Sequence, residues 1–166
     1  IMNENQQLAL REAKSGRSFF LSGAAGTGKS YALQKIIDTT GGEMTATTGI
    51  AAHNVGGLTL HAWAGVGLAD RSADHYYHNM KPRTKSRIAL AKTLAIDEIS
   101  MAPASLIDLV SEVCSRVRGD SRPFGGIQMV FCGDFLQLAP VSKTSTPKFA
   151  FESLAWSRLE PKTIEL

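Results

Sequence analysis

The stretch GAAGTGKS, residues 23–30, lies between a short apolar segment at 18–22 and a segment with apolar residues at helical spacing. All eight positions match the pattern GxxxxGK[ST], in which backbone N–H groups close around phosphate oxygens. The helix that follows such a loop adds the positive end of its dipole. Strand, loop and helix in this order predict a nucleoside triphosphate site, and the alternative is a glycine-rich turn that binds nothing.

The pattern gives each loop residue an expected task. Lys29 is expected to reach the β- and γ-phosphates, and the Ser30 hydroxyl is expected to ligate Mg²⁺. A nucleoside triphosphate and Mg²⁺ are therefore predicted cofactors. The residues expected to cradle the nucleotide are Gly23, Ala24, Ala25, Gly26, Thr27, Gly28, Lys29 and Ser30.

Two further stretches place polar side chains after apolar segments. Asp97 and Glu98 follow one such segment, where Asp97 is expected to join the Mg²⁺ shell and Glu98 to orient or deprotonate the attacking water. The alternative is a solvated acidic pair that caps the next helix. Gln137 follows another segment and is expected to contact the γ-phosphate or its water, unless it is a loop residue bonded to backbone.

Helix and strand signals alternate along the chain, which predicts an α/β fold with a mostly parallel sheet and helices on both faces. Residues 69–87 lack apolar periodicity and form a long excursion, which is a candidate for function or for disorder. Strands are predicted at 19–21, 43–47, 93–97, 128–132 and 163–166, and the clearest helices at 4–14 and 103–118.

Composition sets the broad class of protein. The chain has 166 residues, enough for one domain, and no apolar run approaches the roughly 20 residues of a membrane span. We expect an intracellular protein without a membrane partner, in the nucleus, a mitochondrion or a bacterial cytoplasm. Cys114 and Cys132 lack metal-ligand spacing and are expected to be reduced core residues. The net charge of +3 is only a mild hint of a polyanionic partner.

Four motifs in fixed order carry a resemblance to a known family. They are GAAGTGKS at 23–30, ATTGIAAHNVGGLTLHAWAGVG at 46–67, AIDEISM at 95–101 and RPFGGIQMVFCGDFLQLAPV at 122–141. This order closely resembles the PIF (petite integration frequency) family of DNA helicases, in the RecD-like branch of superfamily 1. The resemblance covers nearly the whole chain.

The resemblance implies a P-loop NTPase domain of the RecA-like fold. Residues 1–166 would be the N-terminal motor domain, called 1A, with 69–87 as a candidate small inserted 1B-like wedge segment. The implied activity is ATP-driven 5′-to-3′ translocation on single-stranded DNA, and the implied partners include DNA junctions or forks. Its C-terminal RecA-like partner domain is absent from this chain, so we expect the isolated domain to be weakly active or inactive.

The same resemblance implies roles for further residues. Gln6 matches the adenine-reading glutamine, although the adjacent Gln7 leaves that assignment uncertain by one position. Trp63 is either a ring that stacks on a DNA base or an aromatic core residue. The residues implied to contact DNA are Thr48, Gly49, His61 and Trp63, and Arg116 and Arg118 would either face nucleic acid or solvate an exposed helix face.

Two other classes of function stay open on the sequence. One is a stand-alone nucleic-acid-binding module that kept the fold and lost the motor. The other is a P-loop ATPase that acts on something other than DNA.

Overall fold

The computed structural model describes residues 1–24, 26–134 and 149–166. Within these ranges, no helix is long and apolar enough to cross a membrane. The strands are β1 (Phe19–Ser22), β2 (Glu43–Ala46), β3 (Leu58–Thr59), β4 (Thr93–Asp97), β5 (Gln128–Gly133) and β6 (Lys162–Glu165). The helices are α1 (Glu4–Lys14), α2 (Lys29–Thr40), α3 (Gly49–Asn54), α4 (Leu60–Ala64), α5 (Ala73–His78), α6 (Pro82–Leu90), α7 (Ala104–Arg118) and α8 (Leu154–Leu159).

The described strands form one sheet in the order β3-β2-β4-β5-β1-β6, and every neighbouring pair is parallel. The parallel α/β prediction is therefore confirmed, and all five predicted strands are present to within one or two residues. The two-residue strand β3 was not predicted, because two residues are too few to show a period of two. Since all strands run the same way, their carboxyl ends lie at one edge of the sheet.

Each face of the sheet buries its own core. Phe19 and Leu21 of β1 pack in one cluster with residues of α1 and α2, such as Ile36. Phe20 points to the opposite face and belongs to a second cluster, which includes Ile107 of α7. Successive side chains of a strand alternate between faces. The predicted helices on both faces are therefore confirmed.

The excursion at 69–87 is helical. It contains α5 and the first turns of α6, and both helices pack on the α7 side of the sheet through the buried residues Ala73 and Ile88. A Cβ atom at Gly65, which ends α4, would lie 2.9 Å from Thr84 of α6. Of the two alternatives for this excursion, disorder is wrong, and a functional role stays a prediction. The few apolar residues that dock these helices do not give the sequence a clear period.

Candidate nucleotide-binding site

The loop between β1 and α2 has the conformation that its glycines permit. Gly26 and Gly28 have φ angles of +85° and +82°, in the left-handed region that other residues rarely adopt. The Thr27 N–H and hydroxyl both donate to the Ala24 carbonyl, at 3.3 and 2.7 Å, and close the loop on itself. Ala25 lies outside the described residues.

Lys29 stands at the first position of α2. Its Nζ donates to the Gly23 carbonyl at 3.0 Å, so the ammonium group lies over its own loop. Gly28 caps α2 without a side chain, so no side-chain oxygen takes the first N–H groups of the helix. A helix start with free donors and a nearby ammonium group is a favourable site for a phosphate.

One cleft brings the loop and the carboxylates together. Ser30, Asp97 and Glu98 line a cleft of about 260 Å³ between α2 and α3, at the carboxyl edge of the sheet. Hydroxyl and carboxylate oxygens are the ligand types that Mg²⁺ prefers, usually together with phosphate oxygens and water. Among the described residues no cluster of three or more His, Cys, Asp or Glu is placed to hold a metal.

Glu98 has an unusual backbone conformation. Its φ and ψ angles are +56° and +42°, a left-handed conformation that is uncommon outside glycine. Its N–H donates to Asp97 Oδ1 at 2.8 Å, and its carbonyl accepts from the Thr47 hydroxyl at 2.8 Å. The Glu98 side chain makes no capping bond to the turn Ile99–Met101, so the helix-capping alternative is wrong for this residue.

Thr47 is a residue that the sequence analysis did not single out. Its side-chain bond to Glu98 spans 51 positions of sequence, and its N–H also donates to the Asp97 carbonyl at 3.3 Å. The signal available in the sequence was its place at the end of the predicted strand 43–47, and the structure pairs this strand with β4. A strand in that register ends beside the carboxylate pair.

The structure separates the two candidate glutamines. The Gln6 amide donates to the Gly28 carbonyl at 3.1 Å, and its oxygen accepts from the Asn3 N–H at 2.8 Å in the cap of α1. Gln7 is exposed and donates to the Met2 carbonyl instead. Gln6 is therefore the glutamine beside the phosphate loop, and its contact with adenine stays a prediction.

Two of the implied DNA residues lie at the start of α3. The Thr48 hydroxyl accepts from the Ala51 N–H at 3.2 Å and caps the helix, and Gly49 is exposed as its first residue. His61 lies elsewhere, in a cleft of about 540 Å³ between α4 and the connection from α5 to α6, where Lys81 is also found. The structure thus places the excursion beside His61 and leaves Thr48 and Gly49 near the carboxylates.

Trp63 is in the core. The side chain is 1% exposed, and its Nε1 donates to Glu43 Oε2 at 2.7 Å. With the ring enclosed, no face is available to a DNA base. Of the two alternatives for Trp63, the aromatic core residue is correct, and the predicted DNA contact is wrong.

The two arginines of α7 differ. The Arg118 guanidinium donates to four backbone carbonyls, so it neither faces nucleic acid nor solvates an exposed surface, and both predicted alternatives are wrong. Arg116 is partly exposed, pairs with Asp74 at 2.9 Å, and lies 4.9 Å from the centre of the Tyr77 ring. The carbonyls that accept from Arg118 belong to Ile88, Ala89, Ala91 and Gly125.

The remaining predicted residues are Gln137 and the cysteines. Gln137 lies outside the described residues. Cys114 and Cys132 are free and buried, as predicted. Burial raises the pKa of Cys132 well above its ordinary value, and the nearby Asp97 carboxylate raises it further, whereas Lys29 opposes the shift. The end of β5 therefore lies against the loop and the carboxylate pair.

Comparison with known proteins gives consistent matches. The model of the PIF1-like helicase family matches residues 1–166. The human ATP-dependent DNA helicase PIF1 is 45% identical over 99% of this chain, and its Saccharomyces cerevisiae counterpart is 41% identical. The chain spans 26% and 20% of these two relatives, so it covers about a quarter of their length or less.

Solved structures agree with the sequence matches. The Pif1 helicase of Candida albicans superposes with a TM-score of 0.90 and 41% identity, covering 100% of this chain and 40% of that one. Bacteroides Pif1 in complex with ADP-AlF4 gives a TM-score of 0.89 and 30% identity, covering 100% of this chain and 42% of its own. These likenesses confirm the RecA-like fold.

Proposed function

Because the chain belongs to the PIF1-like helicase family, we propose that it is the ATP-binding motor domain of an ATP-dependent DNA helicase that moves 5′-to-3′ along single-stranded DNA. The observation that carries this proposal is the convergence of the phosphate loop, Asp97 and Glu98 at one edge of the sheet. Phosphoryl transfer depends mainly on positioning and on charge stabilisation, and this edge supplies groups for both.

The geometry of the loop and the carboxylates, together with the family resemblance, supports the following nucleotide roles. The loop N–H groups and the start of α2 would hold the phosphates, with Lys29 moving from the Gly23 carbonyl to the β- and γ-phosphates. Ser30 and Asp97 would ligate the Mg²⁺ ion, which neutralises developing charge on the phosphates. Glu98 would orient or deprotonate the attacking water. Gln137 would contact the γ-phosphate or its water, and Gln6 would bind adenine.

The complete protein is expected to hold a second RecA-like domain. The loop and the carboxylates lie at an open edge of the described domain, and such a partner would supply the other wall of the ATP site and half of the DNA track. We expect this 166-residue chain alone to bind nucleotide weakly, to hydrolyse it slowly and not to unwind duplexes. Robust strand separation by this chain alone would contradict that view.

The DNA partner would lie across the start of α3 and the cleft that holds His61. Bacteroides Pif1 bound to single-stranded DNA is a structural neighbour with a TM-score of 0.85, and this supports a single strand as the track. Junctions or forks are further proposed partners, with residues 69–87 as a 1B-like wedge. An intracellular location follows from a DNA substrate, in the nucleus, a mitochondrion or a bacterial cytoplasm.

The test of the enzymatic proposal is DNA-stimulated ATP hydrolysis by the complete protein. Glu98→Gln keeps the shape of the side chain and removes the base, so turnover should fall by on the order of a hundredfold or more while nucleotide binding survives. Glu112→Gln changes an exposed glutamate of α7 and serves as the control. Unchanged turnover in Glu98→Gln would overturn the assignment of the base.

A second measurement separates the classes of substrate. Binding of the complete protein to single-stranded DNA should weaken steeply with salt, because each neutralised phosphate releases counterions. Salt-sensitive binding without ATP turnover would support a nucleic-acid-binding module instead. ATP turnover without any binding to single-stranded DNA would point to a different substrate.

A further inference from the structure

Thr47 connects the start of α3, the proposed DNA contact, with Asp97 and Glu98, the proposed site of ATP hydrolysis. It follows β2, and the next residue, Thr48, caps α3. Its hydroxyl donates to the Glu98 carbonyl at 2.8 Å and its N–H to the Asp97 carbonyl at 3.3 Å. One residue therefore connects the start of α3 to the backbone of both carboxylate residues.

Glu98 requires such a connection because of its conformation. A non-glycine residue in the left-handed region persists only where its surroundings hold it there. The Asp97 side chain holds the Glu98 N–H, and the Thr47 hydroxyl holds the Glu98 carbonyl. These two bonds fix the peptide groups on both sides of the Glu98 side chain, and so they set the direction in which its carboxylate leaves the backbone.

We propose that Thr47 is a positioning residue for ATP hydrolysis, which holds Glu98 in its working orientation and makes that orientation depend on the start of α3. The proposal rests on the proposed function, in which Glu98 is the base and α3 begins at the DNA strand. A shift of Thr48 or Gly49 on DNA would move Thr47 and hence the Glu98 peptide.

A purely structural role is the competing account, and the chain offers a matched comparison. Thr45 lies two residues earlier on β2, is fully buried, and donates through its hydroxyl to the Ala95 carbonyl of β4 at 2.7 Å. The two threonines thus make the same kind of bond to the same neighbouring segment. They differ in that only the Thr47 bond reaches the Glu98 peptide.

The experiment measures steady-state ATP hydrolysis by the complete protein at saturating single-stranded DNA, for Thr47→Val, Thr47→Ser, Thr45→Val and Glu98→Gln. Thr47→Val keeps the size and branching of the side chain and removes the hydroxyl. We expect its kcat to fall about tenfold, since small misplacements of catalytic groups have effects of this order or larger. Its KM for ATP and its Kd for single-stranded DNA should stay within about twofold of the wild type, because the hydroxyl that is removed is bonded to the Glu98 carbonyl.

The controls give each result one meaning. Thr47→Ser should restore most of kcat because it returns the hydroxyl, and Thr45→Val should keep the wild-type kcat even if it lowers stability. A wild-type kcat in Thr47→Val would overturn the proposal, as would equal losses in Thr47→Val and Thr45→Val or a failure of Thr47→Ser to recover. Normal turnover in Glu98→Gln would instead overturn the assignment of Glu98 as the base, and a wild-type protein without DNA-stimulated ATP turnover would overturn the proposed function, whatever the threonine variants do.

Discussion

Replacement of Arg118 by methionine tests the strongest correction that the structure makes to the sequence analysis. The Arg118 Nη1 donates to the carbonyls of Ile88, Ala89 and Ala91 at 3.0 to 3.1 Å, and the Nε donates to Gly125 at 2.8 Å. The first three carbonyls lie at the end of α6, where few intrahelical N–H groups are available, although the Ile88 carbonyl also accepts from the Ala91 N–H at 3.3 Å. A methionine has similar length but donates no hydrogen bond.

The expected loss follows from the number and setting of these bonds. Hydrogen bonds to charged groups contribute about 1.5–3 kcal/mol each, but one nitrogen is shared among three carbonyls and water can replace some of the contacts. We therefore expect Arg118→Met to lower the free energy of unfolding by about 2–4 kcal/mol in total. For a domain of this size that corresponds to a decrease in Tm of roughly 5–15 °C.

Equilibrium urea unfolding of the chain measures this change, and Arg116→Met is the matched control. Arg116 is on the same helix two residues earlier, but its partner is the exposed Asp74, so its replacement should cost at most about 1 kcal/mol. A loss below about 0.5 kcal/mol in Arg118→Met, within the range of ordinary surface changes, would refute the structural role. Equal losses in the two variants would refute it as well.

Three further predictions concern other parts of the chain. Gly28→Ala should weaken ATP binding measured by titration, because Gly28 has a φ of +82° and a new Cβ would overlap the neighbouring glutamine amide. Gly41→Ala, at φ +67° with nothing within 4 Å, is its control and should cost only about 1–2 kcal/mol of stability. Trp63→Phe should cost about 2 kcal/mol in urea unfolding, because it leaves the Glu43 carboxylate without its indole donor, and single-stranded DNA affinity should not change. Burial raises the pKa of Cys114 from 9.0 to about 12, so the folded state keeps the proton while the unfolded state loses it. The contribution of Cys114 to the free energy of unfolding should therefore be fully present below pH 9 and should decrease above it by up to about 1.4 kcal/mol per pH unit. Cys114→Ala should make the free energy of unfolding depend less steeply on pH in that range.

The sequence predicts well those features that depend on neighbours along the chain. The phosphate loop is such a feature, because its conformation follows from glycines at fixed positions within eight residues. The helix at Ala104–Arg118 is another, since its apolar spacing and the glycine after it are local. Asp97 and Glu98 were placed correctly at the sheet edge because an apolar strand leads directly into them.

The features that were missed or misassigned depend on partners far away in sequence. Trp63 bonds to a residue 20 positions earlier, and Arg118 to carbonyls 27 to 30 positions earlier. Nothing in the residue type shows whether an arginine donates to DNA phosphates or to the end of another helix, because both accept hydrogen bonds from a guanidinium group. Only the packing of α6 against α7 decides between them.

The order of the strands explains how the proposed DNA contact and the proposed site of ATP hydrolysis can lie side by side in a small domain. β2 is next to β4 in the sheet, and parallel strands end at the same edge, so the start of α3 and the carboxylate pair are adjacent although they are about 50 residues apart. Coupling between distant sites needs an element whose arrangement both sites can bias. In the proposed coupling, Thr47 alone separates the start of α3 from the carboxylate pair. The element that both sites would bias is the left-handed Glu98 peptide, which the Thr47 hydroxyl holds. A strand order that separated β2 from β4 would leave the same motifs in the sequence and remove this contact.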